Sequence, residues 1–523
     1  MKQNVPTEAE VVVIGAGMGG LTAAALLAKA GREVVVIEPE RRPGGYLAGF
    51  TRRRFVFDSA IHWLNQCGPG GFVHKILSWI GDDFPVCEPL HDIRRYKGDS
   101  FDYLLTDRPD ELRRQLIADL PGNERGLNRM FKDAAVFGDR MMRYAHLMRA
   151  TETMGLFDKM IYGLRMAVWG MPFARVYKKT AVEGLAQYVP SGRLSEIFAS
   201  EEQLLAVLIP LGWAYNRDFQ APPVGGSQAF PRWLVERTRG FGSEVVLKKR
   251  VAEILLDDGR AAGVRLESGE HIRARYVLAA CDLETVYTKM LPTGVVPQDL
   301  LDKLGRAELY DSSVTLSLGL DCPAQQLGFG QEMIYLSRDG VTRQELNGGD
   351  PHKSGLSILA PTVRDPSMAP EGKGTLTVYC PATLEYGNYW RTEDGLKRGA
   401  AYKTFKQDYA KVVLDRVEAT MAPGLQDHIA HLDVATPVTH LRYTGNKGGS
   451  IMAARPSKAN IQARIAHYKT PVKNLLLSGH WAEYGGGVPI ATKAGTNAAL
   501  MVLKQEDRQA FKDLARVTDR PFP

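Results

Sequence analysis

Residues 11–38, VVVIGAGMGGLTAAALLAKAGREVVVIE, restrict what this chain can fold into more than any other stretch. Val11–Ile14 is a continuous apolar run, the pattern of a strand buried on both faces. It stops at Gly15-Ala16-Gly17-Met18-Gly19-Gly20, which opens a stretch rich in Ala and Leu, with good helix propensity, closed by Gly31. A second apolar run, Val34–Ile37, ends at Glu38. Strand, glycine turn, helix, strand, acid is the order of a dinucleotide-binding unit. Gly15 permits the tight turn, Gly17 lets the main chain approach a pyrophosphate, and Gly20 lets helix and strand pack closely. Met18 and Gly19 share the turn, at a helix N-terminus whose N–H groups and partial positive charge suit the phosphates. Glu38 stands at the spacing where an acid accepts hydrogen bonds from ribose hydroxyls. The competing reading, a glycine-rich turn that holds nothing, leaves the flanking strands and the acid without a common purpose.

At 523 residues and 44% hydrophobic content the chain can bury a large core and has length for two domains. Its first ten residues, MKQNVPTEAE, are polar, so no secretory signal is expected. No apolar run reaches the ~20 residues that span a bilayer; Leu204–Leu211 is the longest candidate and holds Pro210. Cys67, Cys87, Cys281, Cys322 and Cys380 are scattered without a CxxC, as expected for reduced thiols of a cytoplasmic protein, neither bridges nor metal ligands. No metal is expected. A net charge of +7 is mild for this length, and no nucleic-acid motif accompanies it.

After Glu38, the pair Gly44-Gly45 followed by Tyr46 is either an ordinary Pro-Gly loop or a second place where main chain lies against the dinucleotide. Phe55–Phe57 reads as a short strand running into Asp58-Ser59-Ala60-Ile61-His62-Trp63; His62 is a pocket residue or a satisfied core histidine. Ile93–Tyr96 and Phe101–Leu105 read as a hairpin, with a helix from about Asp110. Residues 139–179 carry seven methionines from Met141 to Met171, with Phe157, Trp169 and Phe173, interleaved with Arg and Lys and few acids. One reading is a pair of amphipathic helices facing a core; the other is a substrate portal dipping into lipid, with Met and aromatic residues apolar and the cations at the interface. From Pro222 the pattern returns to α/β: Gly225-Gly226-Ser227, a helix over Gln228–Arg239, and strands at Val245–Leu247, Val251–Leu256, Ala261–Leu266, His271–Ala274 and Tyr276–Ala280 with Asp-Gly and Ser-Gly turns. Strand-like runs at Ser313–Leu318 and Gly374–Tyr379 and a charged helix over Arg398–Ala419 follow; Thr436 to Gly449 reads as a loop. Near the end, a strand at Asn474–Ser478, the loop Gly479 to Ile490 and a helix over Ala491–Leu503 offer a second set of main-chain amides to a ligand. That loop lacks GxGxxG, so a separate NAD(P) site is not indicated.

Together, GAGMGGLTAAALLAKAG with VIE and Gly44-Gly45, FVFDSAIHWL, the Gly225-Gly226 to Tyr276 return, TPVTHLRYTGNKGG and LLLSGHWAEYGGGVPIATKAGTNAA resemble the phytoene desaturase, carotenoid isomerase and retinol saturase group of FAD-dependent oxidoreductases, within the GDI-like flavin superfamily. The resemblance spans nearly the whole chain in the right order. It implies an α/β fold: a Rossmann-type FAD-binding domain of the amine-oxidase kind, from residues 1–85, 222–295 and 451–523, with a discontinuous α+β substrate domain from 86–221 and 296–450. It implies FAD as cofactor, Glu38 on the adenosine ribose, the Val251 backbone on adenine, and Gly487-Val488 near the isoalloxazine. Gly479-His480 departs from the family, where an acid usually follows the glycine and bonds the ribityl chain. Tyr46 stands where an arginine often follows the glycine pair.

The expected activity is desaturation, saturation or cis–trans isomerisation of a long apolar polyene or isoprenoid, such as a carotenoid or retinoid. His62, Glu483 and Tyr484 are the candidates for proton transfer. The expected partners are an apolar small molecule and, through residues 139–180, the inner face of a membrane, in an otherwise cytoplasmic protein. Two rivals share the frame: a flavin amine oxidase, which favours a small aromatic-lined pocket, and a non-catalytic prenyl-lipid carrier of the Rab escort type, against which the intact glycine turn and Glu38 argue.

Overall fold

A computed structural model describes residues 5–60, 63–143 and 147–520. The chain opens with β1 (Glu8–Ile14), α1 (Met18–Lys29) and β2 (Val34–Glu38). The apolar runs are the reason: every residue of Val11–Ile14 and of β2 is buried, as strands covered on both faces require. A small hairpin, β3 (Phe50–Arg52) and β4 (Phe55–Phe57), precedes a second hairpin, β5 (Asp92–Lys97) and β6 (Asp102–Thr106). Helices α2 (Pro109–Asp119), α3 (Glu124–Arg143), α4 (Leu156–Gly170) and α5 (Leu204–Tyr215) follow. Next come α6 (Ala229–Gly240), β7 (Glu244–Leu247), β8 (Val251–Asp257), β9 (Arg260–Leu266) and β10 (His271–Ala279). The last part holds β11 (Ser312–Leu320), β12 (Met333–Leu336), β13 (Leu356–Leu359), β14 (Gly374–Ala382), α7 (Ala400–Thr420), β15 (Ile429–Ala435), α8 (Pro437–Thr444), β16 (Leu475–Leu477) and α9 (Gly487–Glu506).

Two large sheets organise these elements. In the first, β7, β2, β1, β10 and β16 run parallel; β9 pairs the N-terminal half of β10 antiparallel, and β8 pairs β9 antiparallel. Strand β10 joins the two parts because its first half pairs β9 and its last three residues pair β16. The second sheet has the order β15-β11-β14-β13-β12-β5-β6, antiparallel except at β12–β5. Along β11, Val314, Leu316 and Leu318 enter a core with Tyr409, Val413 and Val417 of α7. The alternate residues Ser313, Thr315 and Ser317 are buried on the opposite face, beside Thr377 and Tyr379 of β14.

Four expectations are corrected. Residues 271–279 form one strand, not two, because nothing between Ala274 and Tyr276 breaks the buried–exposed alternation. The stretch read as a loop from Thr436 contains α8: Thr436 and Thr439 form a capping box, Pro437 takes the first helical position, and Gly445, at φ +69°, closes the far end. Helix α9 starts at Gly487, ahead of Ala491, since Pro489 is tolerated in a first turn whose N–H has no helical acceptor. The methionine-rich stretch is not a pair of core-facing helices: Met142 of α3 is buried, but α4 buries none of its residues. Among the described residues no helix is long and apolar enough to cross a membrane.

Candidate functional site

The parallel strands of the first sheet deliver their C-terminal ends to one edge, where open α/β sheets take their ligands. There the Gly15 N–H donates to Ile37 O (2.8 Å), Ala280 N–H to Ile14 O (2.9 Å) and Ser478 N–H to Ala279 O (2.9 Å). Four turn glycines sit in this edge with different surroundings. Gly15 holds φ +104°, and a Cβ there would stand 3.0 Å from the Ala280 carbonyl oxygen. A Cβ on Gly20 would stand 2.2 Å from Gly15 O, and one on Gly19 would stand 2.2 Å from Ser478 O. Those two therefore let α1 pack on β1 and on α9, where Gly495 in turn meets Gly19 O. Gly17 differs: nothing lies within 4 Å of where its Cβ would be. It is the N-cap of α1, and no side chain caps that end. Met18, the first residue of α1, is buried.

A second main-chain arch covers the turn. Gly44, at φ +127°, donates to Ala16 O (2.7 Å), and Gly45 approaches Gly17 Cα. The buried Glu38 carboxylate ties the turn to the end of β2, since Oε2 accepts from Ala16 N–H (2.7 Å) and Oε1 from Glu40 N–H (3.0 Å). Burial pushes its pKa up, and these two N–H groups oppose that. A carboxylate has about four acceptor positions, so two amides leave capacity for ribose hydroxyls. Open space at Gly17, an uncapped helix N-terminus and a buried acid with spare acceptors fit the diphosphate and ribose of a dinucleotide. Val251, first residue of β8, is buried, and two residues before it Lys249 N–H donates to the carbonyl of Glu38 at the end of β2 (3.0 Å).

The glycine loop before α9 closes the same edge. Gly479 Cα packs against Ala280, and Gly487, at φ +85°, has nothing nearer its absent Cβ than Pro489 at 3.7 Å. Val488 is buried. His480 is held neutral by burial, its pKa pushed down to about 4. It therefore differs in charge, not only in shape, from the acid the family usually carries there.

Glu483 and Tyr484 take another direction. Glu483 accepts from Tyr468 OH (2.6 Å) and from Lys493 Nζ (2.9 Å), and Tyr484 OH donates to the Asn460 carbonyl (2.8 Å). Both line a cavity of about 220 Å³ with Arg149, Tyr162, His467 and Lys493, and no glycine of the cradle lines it. Glu483 thereby ties the loop to α9 through Lys493, and Tyr484 ties it to the turn of chain at Asn460. His62 lies outside the described residues. Its neighbour Trp63 packs edge-on against Phe219 (centroids 4.7 Å) and Trp213 (6.0 Å).

Tyr46 is expected here from sequence, but two side-chain links of this region, Asp58 to Ser227 and His440 to Tyr46, are not. Asp58 Oδ1 accepts from both the N–H and the hydroxyl of Ser227 (2.8 and 2.7 Å), which locks the strand-to-loop exit of β4 onto the Gly225-Gly226 turn. Tyr46 reaches across to the second half of the chain and donates to Ser450 O (2.8 Å). His440 of α8 stacks obliquely on Tyr46, with centroids 5.8 Å apart. His440 lay in the stretch read as a loop, so no periodicity marked it; only tertiary packing brings it to Tyr46.

The comparisons with known proteins agree with this geometry. An all-trans-retinol 13,14-reductase of Danio rerio is 24% identical over 569 aligned residues, covering 99% of this chain and 90% of that protein. A chloroplastic prolycopene isomerase 1 of an Oncidium hybrid cultivar is 25% identical, covering 85% of this chain and 75% of its own. Among solved structures, a putrescine oxidase with putrescine bound superposes with TM-score 0.59 at 12% identity over 95% of this chain and 100% of that one, a likeness of fold. The profile of the flavin containing amine oxidoreductases matches residues 18–503, nearly the whole molecule including the cradle from Met18 onward, and the chain belongs to that family.

Proposed function

We propose that this protein is an FAD-dependent oxidoreductase that desaturates, saturates or isomerises double bonds of a long apolar polyene or isoprenoid of the carotenoid or retinoid kind. The observation that carries the reading is the likeness to a retinol reductase along 99% of the chain, joined by a carotenoid isomerase along 85%. The likeness to amine oxidases is one of fold and family, and those relatives share far less sequence. When bound, the flavin supplies hydride transfer at an apolar carbon, chemistry no side chain offers.

In this reading the chain's own residues position and exclude. Gly15, Gly17, Met18 and the Gly44-Gly45 arch hold the diphosphate, Glu38 the ribose, and the loop from Gly479 through Val488 the flavin end. Residues 1–85, 222–295 and 451–523 carry the cofactor. Residues 86–221 and 296–450 cover the substrate, where Trp213 and Phe219, packed against Trp63 of the first segment, form an aromatic wall suited to a flat conjugated chain.

We further place the protein in the cytoplasm, against the inner face of a membrane. Helix α4 supports this: Leu156, Phe157, Met160 and Leu164 are each 65–88% exposed, and Lys159 and Arg165 lie on the same helix. Apolar side chains flanked by cations suit a lipid interface, from which a water-insoluble substrate would enter. The five cysteines are unpaired, in keeping with a reducing compartment.

The test is anaerobic and aerobic incubation of the flavin-loaded protein with a panel of polyenes and, in parallel, of primary amines. Product mass and double-bond geometry are scored. A polyene changed by two hydrogens or in geometry supports the reading; flavin reduction by amines with every polyene unchanged overturns it.

A further inference from the structure

The geometry points to His440 as a built acceptor subsite, whose bare Nε2 takes a hydrogen bond from an uncharged N–H or O–H group on the bound flavin or substrate. His440 is only 7% exposed. The Ser313 carbonyl accepts from its ring, and Nε2 has no partner. A neutral imidazole that donates through one nitrogen presents a lone pair at the other. A buried acceptor left bare is costly, and such atoms normally have a protein or water partner. A partner that arrives with the ligand resolves this at His440.

Position supports the assignment independently. The ring lies on Tyr46, two residues beyond Gly44, whose N–H closes on Ala16 O in the glycine turn. On its other side Ser313 belongs to the face of β11 that carries the buried hydroxyls of Thr315 and Ser317. Tyr46 OH and Ser312 Oγ both donate to main-chain carbonyls at Gly449 and Ser450, which close the same seam. The ring therefore sits where the cofactor-side arch meets the second sheet. Burial holds the ring neutral, with its pKa lowered to about 4, so it stays an acceptor at neutral pH. Two donors have the required chemistry: the imide N–H of an isoalloxazine, and the hydroxyl of a polyene alcohol. The second rests on the polyene reading; the first does not.

The test uses the full-length chain, wild type and the variants His440→Phe and His440→Gln. Phe keeps a ring against Tyr46 and removes the acceptor; Gln places a carbonyl oxygen at similar reach. Should the Phe variant not fold, His440→Met replaces it. Two quantities are read: the FAD dissociation constant without substrate, and the binding of retinol and of retinol methyl ether to the loaded protein by perturbation of the flavin spectrum. Loss of one neutral hydrogen bond weakens the affected binding about 2- to 10-fold. If the donor is the flavin, the Phe variant loses FAD affinity by that factor and the Gln variant recovers it. If the donor is the substrate, FAD affinity holds, retinol binds more weakly to Phe than to wild type or Gln, and the methyl ether does not distinguish them. The proposal is overturned if neither quantity moves in a folded Phe variant, or if Gln is no better than Phe. If no polyene perturbs the wild-type flavin spectrum, the polyene reading falls by itself, and the FAD constant alone decides, an unchanged value overturning the proposal.

Discussion

Gly17→Ala and Gly20→Ala add the same methyl group three residues apart, and the structure separates their consequences. At Gly17 the backbone is extended, φ −73° and ψ 174°, a conformation Ala adopts freely, and the added Cβ meets no protein atom within 4 Å. Restricting the unfolded chain favours the variant by about 0.4–1 kcal/mol, and the poorer N-cap offsets roughly half a kcal/mol. The cofactor-free protein should melt within a degree or two of wild type. At Gly20 the Cβ would stand 2.2 Å from Gly15 O and 2.9 Å from Ala280 Cβ. Ordinary C···O contact begins near about 3.3 Å, so main chain must move by roughly 1 Å. Overpacking of this kind costs about 1–3 kcal/mol or more, of which better helix propensity returns about 1 kcal/mol. We expect a net loss of about 1–2 kcal/mol. FAD affinity reverses the order of severity for Gly17→Ala, where the methyl group occupies the space kept for the diphosphate: a loss of at least about tenfold, or 1.4 kcal/mol. Thermal melts of the stripped proteins and FAD titrations followed by flavin fluorescence read the two effects separately. A folded Gly17→Ala protein that binds FAD as wild type does would refute the reasoning, as would one destabilised as much as Gly20→Ala.

Other outcomes follow from the same geometry. Glu38→Ala removes both the tie to Ala16 and the ribose acceptor, and should weaken FAD more than Glu38→Gln, which keeps one acceptor oxygen; titration of both variants checks this. His440 has its pKa lowered in the folded state, so its contribution is fully present above the unfolded value near pH 6.5 and is lost as pH falls toward about 4. The loss at pH 4 is about 3 kcal/mol, and melts between pH 7 and 4 should fall less steeply for His440→Phe than for wild type. Tyr46→Phe removes the bond to Ser450 and should cost about 1 kcal/mol in a denaturant titration while leaving the fold intact. Serine at Leu156, Phe157 and Leu164 together should reduce co-flotation with anionic liposomes at least tenfold without lowering the melting temperature, because α4 buries none of these residues in the protein.

The first sheet was legible because its strands are uniform: Val11–Ile14 and Val34–Ile37 are apolar at every position, and a strand covered on both faces has no other reading. The glycine turn was legible because its order and spacing match a strand–turn–helix unit, and Gly20 answers to a neighbour within the turn itself, the Gly15 carbonyl. Sequence alone did not separate Gly17, which faces open space, from Gly19, which faces Ser478 O. That difference depends on where a strand more than four hundred residues later comes to lie. His440 and the Asp58–Ser227 pair were hidden for the same reason, since their partners are distant in sequence and no period marks them. Helix α8 was missed although Pro437 and Gly445 flank it at its first position and its close; its short length gave no hydrophobic repeat to weigh. The methionine-rich stretch had two readings because amphipathic composition alone does not say whether the covering partner is protein. For α4, Leu156, Phe157 and Leu164 are exposed among the described residues.

The visible absorption spectrum of the purified, folded chain, before and after added FAD and gel filtration, tests most directly whether the turn at Gly15–Gly20 grips a flavin nucleotide. We expect flavin bands that stay with the protein, at about one FAD per chain, and that disappear from Gly17→Ala under the same treatment. A colourless, folded wild-type protein that retains no flavin after loading would contradict it.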